Sequence, residues 1–265
     1  MKLKGCNAVI TGASAGIGHE FARQLAGRAS SMVLIARREE ELIELNHKLQ
    51  QQHKNLRVHI RKVDLSNLAQ LKELMESFDR EHMDVDLLIN NAGLGDTGPV
   101  ATSDPTRNEQ MILVNLLALT SLTRHLLPPM IAKGRGGILN VSSSAGFLPI
   151  PGDAIYAATK AYVTSFSEAL RAELRGTGVS VCALCPGPVQ TEFQEVARRD
   201  GVQSRLGPKF VVVPVEQVVR DAVAALEADR PLVIPGFAMK FVMFVGRLMP
   251  MPLLRLLFRL LPARD

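Results

Sequence analysis

The chain contains no tryptophan and only two tyrosines, and aromatic residues make up 5% of it. With the basic residues dispersed and no nucleic-acid motif present, nothing supports nucleic-acid binding. Three cysteines, an odd and small number, exclude a disulfide framework. Cys182 and Cys185 form a C-x-x-C, but no second Cys or His pair completes a zinc set. The run Val-Ser-Val-Cys-Ala-Leu-Cys reads instead as a buried strand with small core residues, and the six histidines are scattered, so no metal is expected. No Ser/Gly linker, low-complexity tract, long charge block or fixed-period repeat divides the 265 residues, which suits a single domain over 1–265. The N-terminus, Met-Lys-Leu-Lys-Gly, lacks an apolar segment long enough for a secretory signal, and an intracellular, cytoplasmic location is expected.

What is present is globular: 47% hydrophobic and 22% charged residues. A formal charge of +5 and a pI near 9.3 suit an anionic ligand or surface. Short apolar runs alternate with longer amphipathic segments. Strands are expected over 8–10, 31–36, 56–63, 85–89, 137–141, 180–184 and 231–234. Helices are expected over 17–26, 38–53, 66–78 (capped by Ser66), 106–132, 154–175 and 216–227. This alternation predicts an α/β fold, a doubly wound, mostly parallel sheet of about seven strands with helices on both faces. Ligands of such sheets sit beyond the carboxyl ends of the strands, and the motifs that follow all fall just after a strand.

The run Thr11-Gly12-Ala13-Ser14-Ala15-Gly16-Ile17-Gly18 follows the first strand and opens the first helix. Its glycines let the backbone approach a pyrophosphate, which the N–H groups and dipole of the helix start attract. The spacing is G-x-x-x-G-x-G, not G-x-G-x-x-G. Arg37 and Arg38 follow the second strand, where an adenosine ribose would lie, and arginine there favours a 2′-phosphate, hence NADP(H) over NAD(H). Both arginines also fit simple neutralisation of Glu39, Glu40 and Glu41. Asp64 and Leu65 follow the third strand; Asp64 suits either an adenine contact or a helix cap. Asn90-Asn91-Ala92-Gly93 follows the fourth strand, where small residues and amides let a ribose pass and brace the middle of the sheet. Asn115 interrupts an apolar run, and a buried Asn needs partners. Ser142, Ser143 and Ser144 end the fifth strand, and Pro186-Gly187-Pro188-Val189-Gln190-Thr191 ends the sixth, where it would wall a nicotinamide.

Tyr156 and Lys160 share a helix face, with Cβ atoms about 5–6 Å apart. A Lys cation there favours the phenolate, whose unperturbed pKa is about 10, and a phenol so shifted is an acid/base near neutrality. Taken alone, the pair is a weak signal and also fits the exposed surface of an amphipathic helix.

Together these residues resemble the short-chain dehydrogenase/reductase family, whose fold is of the Rossmann type. T-G-x-x-x-G-I-G appears at 11–18, N-N-A-G at 90–93, S-x(12)-Y-x-x-x-K at 143–160 and P-G at 186–187. The resemblance implies a catalytic group of Tyr156, Lys160, Ser143 and Asn115. Tyr156 would give the proton to a carbonyl or take it from an alcohol. Lys160 would hold the cofactor ribose and depress the Tyr156 pKa. Ser143 would bind the substrate oxygen, with Ser142 or Ser144 as substitutes, and Asn115 would position a water linking Lys160 to solvent. Cofactor contacts would come from Gly12, Ser14, Ala15, Gly16, Ile17 and Gly18, then Arg37, Arg38, Asp64 and Leu65. Asn91, Ala92, Gly93, Tyr156, Lys160, Pro186, Gly187, Val189 and Thr191 would complete them. Ala15 departs from NADP-binding members with a basic residue in the glycine loop, which leaves the 2′-phosphate to Arg37 and Arg38. The resemblance also implies a homodimer or homotetramer paired through the helices over 106–132 and 154–175.

From 233 to 261 the chain is strongly apolar, with Lys240, Arg247, Arg255 and Arg259 set in it. Pro250, Pro252 and the charges argue against a membrane span. The stretch 253–261 reads as a helix with Arg255 and Arg259 four apart on one face. The tail over 236–265 is thus a lid on the substrate cleft, a subunit interface or a membrane-surface segment. The expected activity is NADPH-dependent reduction of a ketone or aldehyde, reversible as alcohol oxidation, on a lipophilic substrate such as a fatty-acyl or steroid carbonyl. The alternatives are a non-catalytic NADP-binding sensor or scaffold and a peripheral membrane or assembly protein. The stretch 190–213 is expected to be a loop over the substrate.

Overall fold

The computed structural model describes residues 1–198 and 209–260. Seven strands form one parallel sheet in the order β3-β2-β1-β4-β5-β6-β7. They are β1 (Cys6–Thr11), β2 (Ala29–Ala36), β3 (Arg57–Lys62), β4 (Leu87–Asn90), β5 (Gly136–Val141), β6 (Val179–Leu184) and β7 (Leu232–Val233). β4, Leu87-Leu88-Ile89-Asn90, is buried at every position, as its unbroken apolar run demands between two helical layers.

Alternate residues feed two cores. On one face, Ile10, Leu34, Leu87 and Leu139 pack with α1 (Gly16–Leu25), α2 (Glu39–Gln52) and α8 (Val215–Glu227). On the other, Val9, Val33, Leu88 and Ile138 pack with α3 (Leu68–Arg80), α5 (Leu119–Ala132) and α6 (Ala154–Glu173). The chain runs outward from β1 to β3 and then returns to place β4 on the other side of β1. Crossovers leave the carboxyl ends of β1 and β4 in opposite directions, which opens a crevice there.

Three expectations change. Asn67, not Ser66, caps α3: its Oδ1 accepts from the N–H groups of Ala69 and Gln70 at 3.0 and 3.1 Å. Ser66 is taken by Asp64, whose carboxylate accepts from its N–H and its hydroxyl at 2.9 and 2.7 Å. The expected helix over 106–132 starts at α4 (Pro105–Ile112), capped by Asp104, and widens into a π-type turn over Leu113–Ala118 before α5. By length and composition 105–132 would also span a membrane, but Met111, Ala118, Leu122 and Met130 pack it into the second core. The stretch 190–213, expected as a loop, carries α7 (Glu192–Ala197), and its part over 199–208 lies outside the described residues.

The tail forms α9 (Phe237–Leu248) and α10 (Met251–Leu260), separated at Pro250. The expectation that Arg255 and Arg259 share one face of this helix involves a side chain outside the described residues.

Candidate active site

The glycine turn sits between β1 and α1. Gly12 and Gly16 have φ of +66° and +52°, in the left-handed region that suits glycine. A Cβ at Gly18 would collide with the Gly12 carbonyl and the Asn91 amide, so the turn closes this tightly only with glycine there. Ala15 stands at the N-cap, where no side chain caps the first turn of α1. The N–H groups of that turn are thereby left to an anion. Thr191, at the start of α7, closes the other side: a Cβ on Gly16 would lie 3.2 Å from its Cγ2.

Amides brace the sheet around this crevice. Asn91 Nδ2 donates to the carbonyls of Thr11 and Gly12 at 2.9 and 3.2 Å, and the Asn91 and Ala92 N–H groups donate to Thr11 Oγ1. Asn90 donates to Asn140 at 2.9 Å, and Asn140 donates to Ser167 Oγ at 2.9 Å. The amides after β4 therefore tie the middle of the sheet, as their position suggested.

Tyr156 and Lys160 lie on α6, one turn apart, with the Lys160 ammonium 5.8 Å from the Tyr156 ring centroid. The Tyr156 hydroxyl stands close enough to Ser143 for the serine to favour its ionised form. Ser143 Oγ also accepts the Ala145 N–H at 3.1 Å, which fixes the serine at the end of β5. Ser142 is committed elsewhere, donating to the Lys160 carbonyl at 2.8 Å and sharing a hydrogen bond with Thr164 at 2.7 Å. Ser144 is held through its N–H, which donates to the Pro186 carbonyl at 2.8 Å and so ties the ends of β5 and β6 together.

Lys160 is buried and donates to the Val141 carbonyl at 2.9 Å. Asn115, in the widened turn, accepts the Leu94 N–H at 2.8 Å and donates to the Leu94 carbonyl and to Thr159 Oγ1 at 2.9 and 3.0 Å. A Cβ on Gly93 would stand 3.4 Å from Lys160 Nζ and 3.5 Å from Asn115 Oδ1, so that glycine keeps open the space between them.

The electrostatics differ from the expected ammonium–phenolate pairing. Burial pushes the Tyr156 phenol up to about 12, against a smaller lowering from Ser143. Burial likewise brings the Lys160 ammonium down to about 8. Burial thus dominates at both groups, and the Lys160 ammonium is turned to the Val141 carbonyl.

The remaining expected residues are placed as follows. Arg38 pairs with Glu192 at 3.0 Å and with Glu41 at 3.5 Å, and stands 3.5 Å from Ser14 Oγ. Arg37 is exposed and has no ion-pair partner among the described residues. Asp64 is engaged with Ser66, and the Leu65 side chain is buried in the second core, which leaves only its backbone to a ligand. Val189 is buried in the first core, and the Ile17 side chain packs against it. A Cβ on Gly187 would collide with Met239 of α9.

Sequence reasoning passed over three residues here. Phe193 of α7 packs on the Tyr156 ring, with centroids 5.7 Å apart and tilted by 46°. Met239 covers Gly187 from α9, and Glu192 holds Arg38. All three belong to segments without a motif; the sequence placed 190–213 over the substrate and offered the tail over 236–265 as a lid, but singled out none of these residues.

A seven-stranded parallel sheet with a glycine turn after β1, and with Ser143, Tyr156 and Lys160 beyond β5, defines a nucleotide-dependent oxidoreductase. The short chain dehydrogenase family model matches residues 6–201, and the chain belongs to that family. Among curated relatives, the NADP-dependent 3-hydroxy acid dehydrogenase YdfG of Escherichia coli K12 is 36% identical over 79% of this chain and 84% of its own. Sulfoacetaldehyde reductase 2 of Chromohalobacter salexigens is 37% identical over 70% of this chain and 73% of its own. Among solved structures, a short-chain dehydrogenase from Sphingobium yanoikuyae in complex with NADPH is 30% identical, with a TM-score of 0.81 over 98% of both chains. The bulky-bulky ketone specific alcohol dehydrogenase from Comamonas testosteroni is 27% identical, with a TM-score of 0.76 over 98% of this chain and 96% of that one.

Proposed function

We propose that the chain catalyses the NADP(H)-dependent interconversion of a lipophilic ketone or aldehyde and its alcohol. The observation that carries this reading is the convergence of Ser143, at the end of β5, with Tyr156 and Lys160 one turn apart on α6, the serine close enough to lower the phenol. The crevice fits the cofactor: the collision that any Cβ at Gly18 would cause and the uncapped first turn of α1 make a phosphate cradle. Gly12, Ser14, Ala15, Gly16 and Gly18 hold the pyrophosphate, and Arg37 and Arg38 hold the 2′-phosphate.

Held in that cradle, NADP(H) would supply the hydride in reduction and take it up in oxidation. Ser143 orients the substrate oxygen by a hydrogen bond. Tyr156 donates its phenolic proton to that oxygen in reduction and accepts one in oxidation. Lys160 holds the ribose hydroxyls and, as an ammonium beside bound substrate, favours loss of the phenolic proton. Asn115 fixes Leu94 beside Lys160 and holds the water through which the ammonium exchanges protons with solvent. Thr191 and Val189 wall the nicotinamide. Exposed Ile112 and Leu117 in the stretch 105–132 and Tyr162 on α6 suit pairing of subunits.

Phe193 beside Tyr156 and Met239 over Gly187 give the substrate pocket apolar walls, which supports a bulky lipophilic carbonyl. The resemblance to a bulky-ketone alcohol dehydrogenase points the same way. The test is a carbonyl panel with NADPH for the wild type and Tyr156→Phe. Turnover should fall by about 10²–10⁴-fold in the variant while NADPH binding is kept. Retained turnover removes Tyr156 from the chemistry. A preference for small 3-hydroxy acids over bulky ketones overturns the lipophilic assignment. NADPH binding without consumption on the whole panel turns the reading to a sensor.

A further inference from the structure

Helix α9 is apolar on two opposite faces, and only one of them is used. Met239 and Met243 point inward and pack with Val211, Phe147 and Ile234, next to Gly187 of the active-site crevice. The face that a lid would turn to the substrate is therefore already seated. On the opposite side, Phe237, Phe241, Phe244 and Leu248 recur at i, i+4, i+7 and i+11, which aligns them in one stripe. Their exposures run from 61% at Phe241 to 86% at Phe237, so the stripe is bare along its whole length. Leu253 and Leu256 of α10 extend the apolar surface. A helix apolar all round is ordinarily buried, and nothing in this chain covers this side of it among the described residues.

The charge around the stripe says what covers it. From Pro231 to Arg264 the sequence holds five cations and no aspartate or glutamate. Lys240 and Arg247, seven residues apart, lie on one flank of the α9 stripe, and Arg255 is exposed on α10. The Arg247 guanidinium stacks on Phe147 at 5.0 Å, which holds that charge at the flank. If the same face of a second copy covered the stripe, an antiparallel two-fold contact would set cations against cations, and in neither orientation would this segment offer them a carboxylate. An anionic bilayer offers both complements at once: hydrocarbon for the phenylalanine rings and phosphate for the flanking cations.

We propose that α9 and the start of α10 form an in-plane docking surface for a membrane rich in anionic lipid. Phe237, Phe241, Phe244 and Leu248 enter the acyl boundary, and Lys240, Arg247 and Arg255 meet headgroups. This stands independently of the catalytic reading, because it uses the side of α9 away from the crevice.

The test is vesicle flotation of the full chain, with light scattering and NADPH turnover as controls of assembly and folding. Vesicles of phosphatidylcholine alone are compared with vesicles containing about one third phosphatidylglycerol, at low and high salt. The wild type should float with the anionic vesicles, far less with the neutral ones, and less at high salt. Phe241→Ser with Phe244→Ser should lose flotation by more than about tenfold while turnover of a water-soluble carbonyl is kept. Lys240→Gln and Arg255→Gln should each weaken it by about fivefold. Failure to float with anionic vesicles, or equal flotation on both lipids, overturns the proposal. So does flotation unaffected by the phenylalanine changes. If those changes instead split an oligomer into smaller species without vesicle binding, the stripe belongs to a second copy and the membrane assignment falls.

Discussion

The Arg38 guanidinium lies 3.0 Å from the Glu192 carboxylate, joining the segment after β2 to the helix that follows β6. Both side chains are substantially exposed, so the pair is worth about 0.2–1 kcal/mol. It nevertheless sets a carboxylate in competition with a 2′-phosphate for the same cation. Glu192→Gln should lower the KM for NADPH by about twofold to fivefold and leave that for NADH unchanged. Replacing Arg37 and Arg38 with alanine should weaken NADPH far more than NADH. Steady-state kinetics with both cofactors check this; equal effects on the two would remove these arginines from phosphate recognition.

Lys160 gives a pH signature. Burial lowers its pKa from 10.5 to about 8. Between those values the unfolded chain binds more protons at this site than the folded one, so this group's contribution to stability rises with pH across the window. Its burial penalty is complete below pH 8 and gone above pH 10.5. Cys182 and Cys185, raised from 9.0 to about 12, act in the opposite sense above pH 9. Comparing wild type with Lys160→Met isolates the lysine: the variant's advantage in urea midpoint should shrink from about pH 7.5 to about pH 10. A constant difference would show that Lys160 titrates as a free lysine does.

Asn115 grips both backbone groups of Leu94 and reaches Thr159. Asn115→Leu leaves the buried Leu94 N–H and carbonyl without these bonds and should cost about 1–3 kcal/mol in urea denaturation. Turnover should fall with it, because Leu94 is the chain neighbour of Gly93, which borders the Lys160 ammonium. Unchanged stability would assign the widened turn to some other cause.

Much of the architecture was legible in advance because each strand carried its own signal. The runs Leu87-Leu88-Ile89 and Ile138-Leu139 are apolar enough to need cover on both faces, and they received it. The start of α3 was misplaced because Ser66 and Asn67 both have capping chemistry, and the choice between them rested on Asp64 engaging Ser66. The motifs after β1 and β4 were visible through glycine and amide spacing, that after β5 through its serines with Tyr156 and Lys160, and that after β6 through its Pro-Gly pair. Phe193, Met239 and Glu192 were not, because their neighbours at the site, Tyr156, Gly187 and Arg38, are distant in sequence.

Local chemistry therefore determined the family of sheet, the glycine cradle and the Tyr156–Lys160 pairing, since each depends on residues close in the chain or one helical turn apart. Tertiary structure decided which of three serines faces Tyr156 and which way the Lys160 ammonium points. It also decided which of the two apolar faces of α9 the core covers. Those outcomes depend on burial and on partners from other strands, and desolvation, which no short segment encodes, set the protonation of Tyr156 and Lys160.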